Sequence, residues 1–442
     1  MARSDSDTDR SAASQSIDGY VGDSLYPSSF HPNFAPPNVD AMLVHAGIAS
    51  PRRIGPRAPF TMVDIGCGDG VGLILNAAAH PEGHFIGIDG NPDHVARGTV
   101  IATEIGLDNI AFHHQYFDAA LAAQPGSVAD YVQCQGVLAW VSETNRTHVL
   151  DLAAHMLKPG GVFAVGYNCL PGWTPMVAFQ QMLWSLADGL PGTPTQRFET
   201  ALEQLRATDI FETSQWEWID GLRATLPTDY FAHEYLNRHW SPLWSGAVLE
   251  AAAARGLTLA GQARPNRLRA DFALKAAWRD TLSSIANPAA RECAVDLLTR
   301  NWFRTDLFVK PPFARLSRTE QARARMHGWW SAVRPAEEAC FEARTAAGTI
   351  RFDNDAARAI VKTLANGPQP LTVVPDIGQA DLFNALDALV MAGEIVPADP
   401  PADVPLAAAT HAALLRRDAS TINGAVSRHG VTGIARGSLD KH

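Results

Sequence analysis

The stretch Val63-Asp64-Ile65-Gly66-Cys67-Gly68-Asp69-Gly70 decides the fold class of this chain. An apolar run from Phe60 enters glycines at alternate positions, and a helical pattern follows from about Val71 to His80. Glycines at such a turn let the backbone adopt positive φ angles and approach a ligand closely. Because a strand, a glycine-rich turn and a helix open the nucleotide-binding α/β folds, the stretch predicts a ligand site at the end of the first strand.

Strands and helices alternate strictly on the carboxyl-terminal side of this stretch. The predicted strands end at or near Gly66, Asp89, Tyr116, Cys134 and Tyr167, with helical patterns between them. Such alternation implies a parallel sheet covered by helices. Two β-like runs, 257–263 and 305–310, are expected to return to the sheet as its last strands. The predicted fold class is therefore α/β, with a Rossmann-like, doubly wound, seven-stranded sheet.

The remaining segments differ from the core in composition. Residues 20–37 are rich in prolines and aromatic residues, which predicts an extended segment that packs on the following domain and, in a second interpretation, covers a ligand pocket. A short helix is expected at 38–47, and a helical, tryptophan-rich region at 176–255. The predicted divisions are a disordered leader (1–19), an N-terminal lid segment (20–55), a ligand-binding core (56–175), a helical insertion that completes the sheet (176–315), a winged-helix-like domain (316–412) and a flexible tail (413–442).

The bulk composition limits the function classes. The chain has 442 residues, 46% of them hydrophobic, and a formal net charge of −10, which argues against broad binding of nucleic acid. Five scattered cysteines form no C-x-x-C pair, so no metal site is predicted. With neither a signal peptide nor an apolar run of about 18 residues, we expect a cytoplasmic protein without a membrane partner.

Two residues of the opening stretch distinguish the possible ligands. The dinucleotide fingerprint requires Gly or Ala where this chain has Val71. Asp64 precedes the first glycine, and a carboxylate there would repel a pyrophosphate, whereas it suits the ammonium group of a methionine moiety. The sequence therefore favours S-adenosylmethionine over NAD as the cofactor.

Residues after the next strands extend this site. Asp89 ends the second strand, where an acid can accept both ribose hydroxyls. Asp118 could accept from the adenine amino group, with Phe117 beside the ring, although Asp118 is equally well explained as a helix cap. Gln135 and Gly136 would face the methionine portion. The predicted cofactor-binding residues are Tyr20, Tyr26, Asp64, Gly66, Cys67, Gly68, Asp89, Gly90, Asn91, Phe117, Asp118, Gln135 and Gly136.

Further motifs resemble those of one known group. They are Y-P-S-S-F-H-P (26–32), G-V-L-A-W-V (136–141), L-K-P-G-G and Y-N-C-L-P-G-W (within 157–173), Y-F-A-H-E-Y-L (230–236) and N-W-F-R-T-D-L-F (301–308). With the opening stretch, they resemble class I methyltransferases that carry a methyltransferase regulatory domain, including bacterial protein-lysine methyltransferases of the rickettsial type. The resemblance spans about 20–310. It implies a methyl transfer that yields S-adenosylhomocysteine, with a protein or peptide acceptor and most plausibly a lysine nitrogen.

Five residues are candidates for the chemistry at the methyl group. Tyr167 ends the fifth strand, on the side where the methyl should lie. His233, Glu234 and Tyr235 lie together in the helical insertion, and His31 lies in the N-terminal segment. A histidine or carboxylate could take a proton from an amine. The alternative is that the insertion residues are surface, capping or core residues of a helix.

Other functions remain open from the sequence. The chain could instead tailor a peptide or small natural product at N, O or C. A third hypothesis is a cofactor-sensing regulator that contacts DNA through the winged-helix-like domain. The predicted recognition helix, 381–393, contains two acids and no Lys or Arg, which disfavours phosphate contacts. Contact of that domain with a protein is the better interpretation.

Overall fold

The computed structural model describes residues 28–52, 57–226, 228–418, 424–427 and 430–433. These residues form two compact units. The helical unit consists of Trp140–Ser142 and Thr174–Ser241, and the sheet unit consists of the other described residues. Among the helices of these residues, none is both long and apolar enough to cross a membrane.

The sheet unit is built on seven strands. They are β1 (Phe60–Ile65), β2 (Gly83–Asp89), β3 (Ile110–His114), β4 (Ala129–Gln135), β5 (Leu157–Asn168), β6 (Thr258–Gln262) and β7 (Phe303–Val309). Their order in the sheet is β3-β2-β1-β4-β5-β7-β6. The first five strands are parallel to one another, and β7 is antiparallel to both of its neighbours. The predicted α/β fold and the return of the last two strands are confirmed, but the sheet is mixed rather than parallel throughout.

Helices cover both faces of this sheet. They are α1 (Pro36–His45), α2 (Val71–Ala79), α3 (Pro92–Ile105), α4 (Phe117–Ala123) and α5 (Glu143–Met156). The apolar residues of α5 pack on one face with Val63 and Phe163, and those of α1 pack on the other face with Met62. Helix α1 begins two residues before the predicted start of its helix, because a proline is well tolerated in the first turn. The described part of the segment predicted as extended, 20–37, contains a 3-10 helix at Pro32–Phe34 and the first two residues of α1, so that prediction is only partly correct.

The helical unit has its own aromatic core. Its helices are α6 (Thr174–Ala187), α7 (Pro194–Ala207), α8 (Thr213–Arg223) and α9 (Thr228–Tyr235). Phe179, Phe198, Phe231 and Tyr235 are fully buried with their rings in contact. The insertion predicted at 176–315 is thus divided: only its part up to Ser241 is a separate unit, and the part from Pro242 belongs with the sheet.

The chain from Pro242 to β7 contains β6, with one α-helix before that strand and three α-helices between β6 and β7. It forms α10 (Ser245–Ala253), α11 (Ala270–Ala273), α12 (Ala276–Ser283) and α13 (Pro288–Thr299). Asn287 caps α13 by accepting from the backbone N–H of Ala289 and Ala290. A hydrogen bond from the Arg304 guanidinium on β7 to Asp296 on α13 then ties the helix to the sheet.

The C-terminal part combines helices with a small antiparallel sheet. Its elements are α14 (Arg318–His327), β8 (Trp329–Ala332), β9 (Glu342–Thr345), β10 (Gly348–Arg351), α15 (Asp355–Leu364), β11 (Gln369–Pro370), α16 (Gln379–Met391) and β12 (Ile395–Ala398). The sheet order is β11-β8-β12. The helix predicted at 381–393 is present as α16. The hairpin β9–β10 precedes α15 rather than following α16, where a wing would lie, so the winged-helix assignment stays a prediction.

The described part of the tail is structured. Helix α17 (Ala407–Asp418) and the hairpin of β13 (Gly424–Ser427) and β14 (Gly430–Gly433) pack against α2 and α3. Leu414 and Val426 are buried in that cluster. The structure therefore differs from the flexible tail predicted from 413 onward, because the alternating small and apolar residues of this segment cover the outer side of α2.

Candidate functional site

The turn after β1 is held against the end of β2. The backbone N–H groups of Gly66 and Cys67 both donate to the carbonyl oxygen of Ile88, at 2.8 and 3.1 Å. Gly66 has a φ of +74°, a conformation that disfavours any side chain. Helix α2 begins directly after Gly70. The amino end of this helix therefore faces the carboxyl edge of the sheet, as the sequence predicted.

The glycines of this edge serve two different purposes. A Cβ on Gly66 would lie 2.5 Å from Cγ2 of Val137, and one on Gly70 would collide with the ring of Phe112, so these glycines are needed for packing. Gly68 and Gly136 have no atoms within 4 Å of their Cβ positions. Their backbone is therefore bare on that side, which leaves room for a ligand to approach.

Asp64 lies at the end of β1 without a cationic partner among its principal interactions. Its Oδ2 accepts from Nε2 of Gln133 on the neighbouring β4, at 2.7 Å. Burial raises the pKa of Asp64 to about 7, although the Gln133 hydrogen bond opposes the shift. A cation that enters the site would stabilise the ionised form of this buried carboxyl group. Gln133, a polar residue within an apolar strand, was missed by the sequence analysis.

Asp89 organises the turn from the end of β2. Its Oδ2 accepts from the N–H of Gly68 and its Oδ1 from the N–H of Asn91, both at 2.8 Å. Nδ1 of His94 lies 3.3 Å from Oδ1. A carboxylate has about four lone-pair sites. The two backbone N–H groups occupy two of them and His94 lies beside a third, so at least one site remains for a hydroxyl donor. The predicted residues at Gly90 and Asn91 complete this loop, and Asn91 caps α3.

The N-terminal segment is anchored on the glycine-rich turn. The Ser28 hydroxyl donates to Oδ2 of Asp69 at 2.5 Å, and Arg97 lies 3.2 Å from the same oxygen. Phe30 is buried against α2. These contacts bear out the predicted packing of this segment on the following domain. Tyr20 and Tyr26, predicted to bind the cofactor, lie outside the described residues. Ser28 and Asp69 were not predicted as partners, although both belong to the motifs quoted above.

Gln135 and Gly136 follow β4 beside the turn. The Gly136 N–H donates to the carbonyl of Gly166 on β5, and the Gln135 side chain covers Gly166 so closely that a Cβ there would collide with it. Oε1 of Gln135 is buried and has no hydrogen-bond partner among the described residues. Phe117 is half-buried at the start of α4. Asp118 is exposed in the first turn of α4, and its Oδ1 accepts from the N–H of Ala119. The N-cap of this helix is Tyr116, so the helix-cap interpretation of Asp118 is wrong, although its charge is favourable at the amino end of the helix.

Cys67 is a site residue without nucleophilic character. Burial raises the pKa of its thiol well above the ordinary value, and the carboxyl groups of Asp89 and Asp64 add to this effect. The thiol is therefore protonated at neutral pH. Its contribution to the site is its backbone N–H and the shape of the turn.

Tyr167, predicted to act at the methyl group, is fully enclosed. Its hydroxyl donates to Oδ2 of Asp306 on β7, at 2.7 Å. Asp306 is also held by the buried guanidinium of Arg304, which reaches Asp296 as well. Burial raises the pKa of Tyr167 well above the ordinary value. The predicted catalytic role of Tyr167 thus has no support in this geometry, because its hydroxyl is committed to a buried ionic network.

The other predicted catalytic residues are distributed over both units. His233, Glu234 and Tyr235 lie in α9 of the helical unit, and all three are buried. The Tyr235 hydroxyl accepts from Nε1 of Trp218 at 3.3 Å, and burial raises its pKa. The expectation that helical His and Glu residues are surface residues is wrong here. His31 is exposed in the sheet unit, with Nε2 3.1 Å from the Ser29 hydroxyl.

Comparison with known proteins identifies two sequence families in the chain. A family model described as a methyltransferase domain matches residues 58–212, and one described as a predicted methyltransferase regulatory domain matches residues 227–310. Together they span more than half of the chain. The boundary between them does not follow the two compact units, since the regulatory match includes α9 and also β6 and β7.

Individual relatives agree with these families. The uncharacterized protein sll1526 from Synechocystis is 24% identical over 80% of this chain and 70% of its own length. A tRNA (guanine-N(7)-)-methyltransferase from Sodalis glossinidius is 30% identical over 34% of this chain and 67% of its own length. Among solved structures, PKMT2 from Rickettsia typhi in complex with AdoHcy matches 94% of this chain and 87% of its own, with a TM-score of 0.70 at 17% identity. The fold is therefore shared along nearly the whole chain.

Proposed function

Because this chain belongs to the class I S-adenosylmethionine-dependent methyltransferases that carry a methyltransferase regulatory domain, we propose that it methylates a protein or peptide, with a lysine amine as the acceptor. The cofactor supplies a methyl group on a sulfonium, which is a good leaving group. The protein then has to position the acceptor nitrogen in line with the methyl and exclude water.

The residues at the carboxyl edge of the sheet fit this cofactor. The buried Asp64 carboxyl suits the amino group of the methionine portion, and Asp89 retains acceptor capacity for a ribose hydroxyl. The bare backbone at Gly68 and Gly136 leaves room between them. We assign Phe117 and Asp118 to the adenine. The buried Oε1 of Gln135 has no hydrogen-bond donor among the described residues, and it can accept a hydrogen bond from the bound cofactor or from the amine that receives the methyl group.

One observation carries the proposal of a protein acceptor. Trp244 and Trp302 are 43% and 47% exposed in the sheet unit. Both tryptophans lie close to the end of β5. The N–H of Cys169 donates to the Trp302 carbonyl, and the N–H of Leu170 donates to the carbonyl of Leu243, which precedes Trp244. Exposed tryptophans are typical anchors of protein interfaces, and their faces also attract cationic side chains such as lysine. The net charge of −10 favours the approach of a basic peptide.

The acceptor amine requires a proton acceptor or desolvation, since free lysine has a pKa near 10.4. His233 and Glu234 stay candidates for this role, because histidine and carboxylate are the side chains suited to it. Replacing each by alanine and measuring the pH dependence of methyl transfer separates a base from a residue that only supports the helical unit. Without the base, transfer depends on unassisted deprotonation of the lysine amine, so the pH dependence of activity moves to higher pH. Loss of a residue that only supports the helical unit lowers activity equally at every pH.

Methyl transfer with labelled cofactor into a host lysate tests the proposal. We expect label in protein bands, and methyllysine after acid hydrolysis of those bands. Trp244→Ala with Trp302→Ala should lower protein labelling by about thirtyfold, as expected for two interface anchors, with unchanged cofactor affinity in calorimetry. Val373→Ala, which shortens a residue that is 48% exposed in the C-terminal part, is the control. Label in small molecules alone would instead support the tailoring of a natural product, and unchanged labelling of the tryptophan variant would refute the docking surface.

A further inference from the structure

A cavity lies in the sheet unit, between α1 and the C-terminal part. Its volume is about 320 Å³, within the size range of small-molecule sites. Helix α1, the turn at Leu268, the end of α14, the start of β8, α16 and the end of β12 form its walls. Its apolar lining residues include Pro37, Met42, Leu268, Trp329, Trp330 and Pro397. Tryptophan and proline present flat apolar surfaces, which suit a planar molecule.

This cavity lies at the opposite end of the strands from the cofactor site. One of its lining residues, Asp40, accepts from the Tyr131 hydroxyl near the start of β4. Another, Arg52, stacks on Phe60, the first residue of β1, at 5.7 Å. The cofactor residues Asp64 and Asp89 are at the carboxyl ends of β1 and β2. The cavity is therefore separate from the site of methyl transfer.

One wall of the cavity holds an unsatisfied donor. Trp330 is only 7% exposed, and its Nε1 has no hydrogen-bond partner among the described residues. A Cβ on Gly328, which also lines the cavity, would lie 3.5 Å from this nitrogen. A methyl group added at that position would therefore contact the indole nitrogen. A buried N–H without an acceptor is costly, so a ligand oxygen at this position would be favoured.

Another wall holds two acceptors. Nε2 of His45 lies 2.9 Å from the Leu268 carbonyl, which can only accept, so this nitrogen carries the proton. Burial lowers the pKa of His45, which keeps the ring neutral and leaves Nδ1 as an acceptor. Nδ1 is 3.8 Å from Oδ1 of Asp387. This distance is too long for a direct hydrogen bond, and the two acceptors can share an N–H donor from a ligand.

The charged groups of the cavity are already paired. Arg52 is bound to Asp40 and Asp399, and Arg325 is bound to Asp387. A charged ligand would lose its hydration without gaining an unpaired arginine or aspartate as its counter-ion. We infer that the cavity is a binding site for an uncharged planar amide, a ring that offers one carbonyl oxygen to Trp330 and one N–H group to His45 and Asp387.

Benzamide is the probe for this site, and binding is followed by NMR of the labelled tryptophan indoles in the full chain. We expect benzamide to bind at least about tenfold more tightly than toluene, which lacks both polar groups, and benzoate, which is charged. Acetophenone, with an acceptor and no donor, should bind with intermediate affinity. Saturation with S-adenosylhomocysteine should not displace benzamide, since the two sites are separate.

Two variants locate the binding. Trp330→Phe keeps the ring and removes the N–H, and it should weaken benzamide about tenfold while leaving toluene unchanged. Gly328→Ala adds a methyl beside the indole nitrogen at a backbone conformation that alanine accepts (φ −63°, ψ 141°), and it should also weaken benzamide. Gly378→Ala, with nearly the same backbone angles outside the cavity, is the matched control. Equal benzamide affinity in Trp330→Phe and the wild type, stronger binding of benzoate, or displacement by S-adenosylhomocysteine would each overturn the inference.

Discussion

Two buried aspartates, at opposite ends of the central strands, have opposite electrostatic environments. Asp64, at the carboxyl end of β1, has a Gln133 amide as its hydrogen-bond donor, and burial raises its pKa to about 7. Asp399 lies after β12 and contacts Arg52 and His80. Burial opposes ionisation of Asp399 too, but the charge of Arg52 and the contacts with His80 outweigh it and lower the pKa to about 2.

The difference separates a carboxyl group that awaits a ligand from one that holds the fold together. Asp399 connects the C-terminal part to the segment after α1, and its charge is satisfied within the protein. Asp64, by contrast, has no counter-ion among its principal interactions. A buried, uncompensated acid destabilises the folded state, so its presence at the end of β1 is best explained by a cationic ligand group.

The largest expected effect comes from breaking the satisfied cluster. Asp399→Asn removes the carboxylate that binds the buried Arg52 guanidinium through both oxygens, and should lower the free energy of unfolding by about 3–5 kcal/mol in denaturant titration. Because the folded pKa of Asp399 is depressed from 3.8 to about 2, its contribution is complete above about pH 4 and is lost as pH falls towards 2. The variant should lack this part of the acid-induced loss of stability.

A surface pair provides the control for this comparison. Glu104 binds Arg416 and Arg417 at the exposed side of α3 and α17. Glu104→Gln should lower the free energy of unfolding far less than Asp399→Asn does, because exposed ion pairs are screened by solvent. If both variants lost the same stability, the Asp399 cluster would be no more than another surface contact. Cofactor affinity should be unchanged in both folded variants.

A smaller effect, on binding, is expected at the glycine-rich turn. Gly66→Ala places a Cβ 2.5 Å from Cγ2 of Val137, which displaces the turn or the backbone beside Gly136. Affinity for S-adenosylhomocysteine should fall at least about 100-fold, equivalent to about 2.7 kcal/mol, by calorimetry. Gly47→Ala has a similar positive φ with open space around it, and should leave binding unchanged. Val137→Ala should partly restore binding in Gly66→Ala, and a failure to do so would show that the collision is not the cause.

The local patterns predicted the sheet and its glycine-rich turn well. Strand β1, the turn at Gly66 and helix α2 follow from residues that are adjacent in the chain, and so does the position of Asp89 at the end of β2. Pairings between distant residues could not be predicted in this way. The contact of Asp399 with Arg52 joins residues separated by most of the chain, and no periodicity encodes it.

The errors concern segments whose environment is set by tertiary packing. The sequence predicts a flexible tail at 413–442 because this segment ends in Gly, Ser and charged residues, yet Leu414 and Val426 are buried against α2 and α3. Tyr167 was correctly placed at the end of β5, but its hydroxyl is turned into the network of Arg304 and Asp306. The partner of the Tyr167 hydroxyl, Asp306, lies on β7, which pairs with β5 but follows it by more than a hundred residues in the sequence.

The smallest expected effect is the most specific test of the comparison. If Asp64 binds the cofactor ammonium, the bound carboxyl group has a lower pKa than the free group at about 7, so binding releases a proton. Affinity for S-adenosylhomocysteine should therefore be constant above about pH 7 and fall as pH decreases below it. Asp64→Asn should bind about tenfold more weakly at pH 8 and lose this dependence. Asp130→Asn, on β4 beside Lys158, should retain it, and an unaltered profile in Asp64→Asn would exclude the proposed ammonium contact.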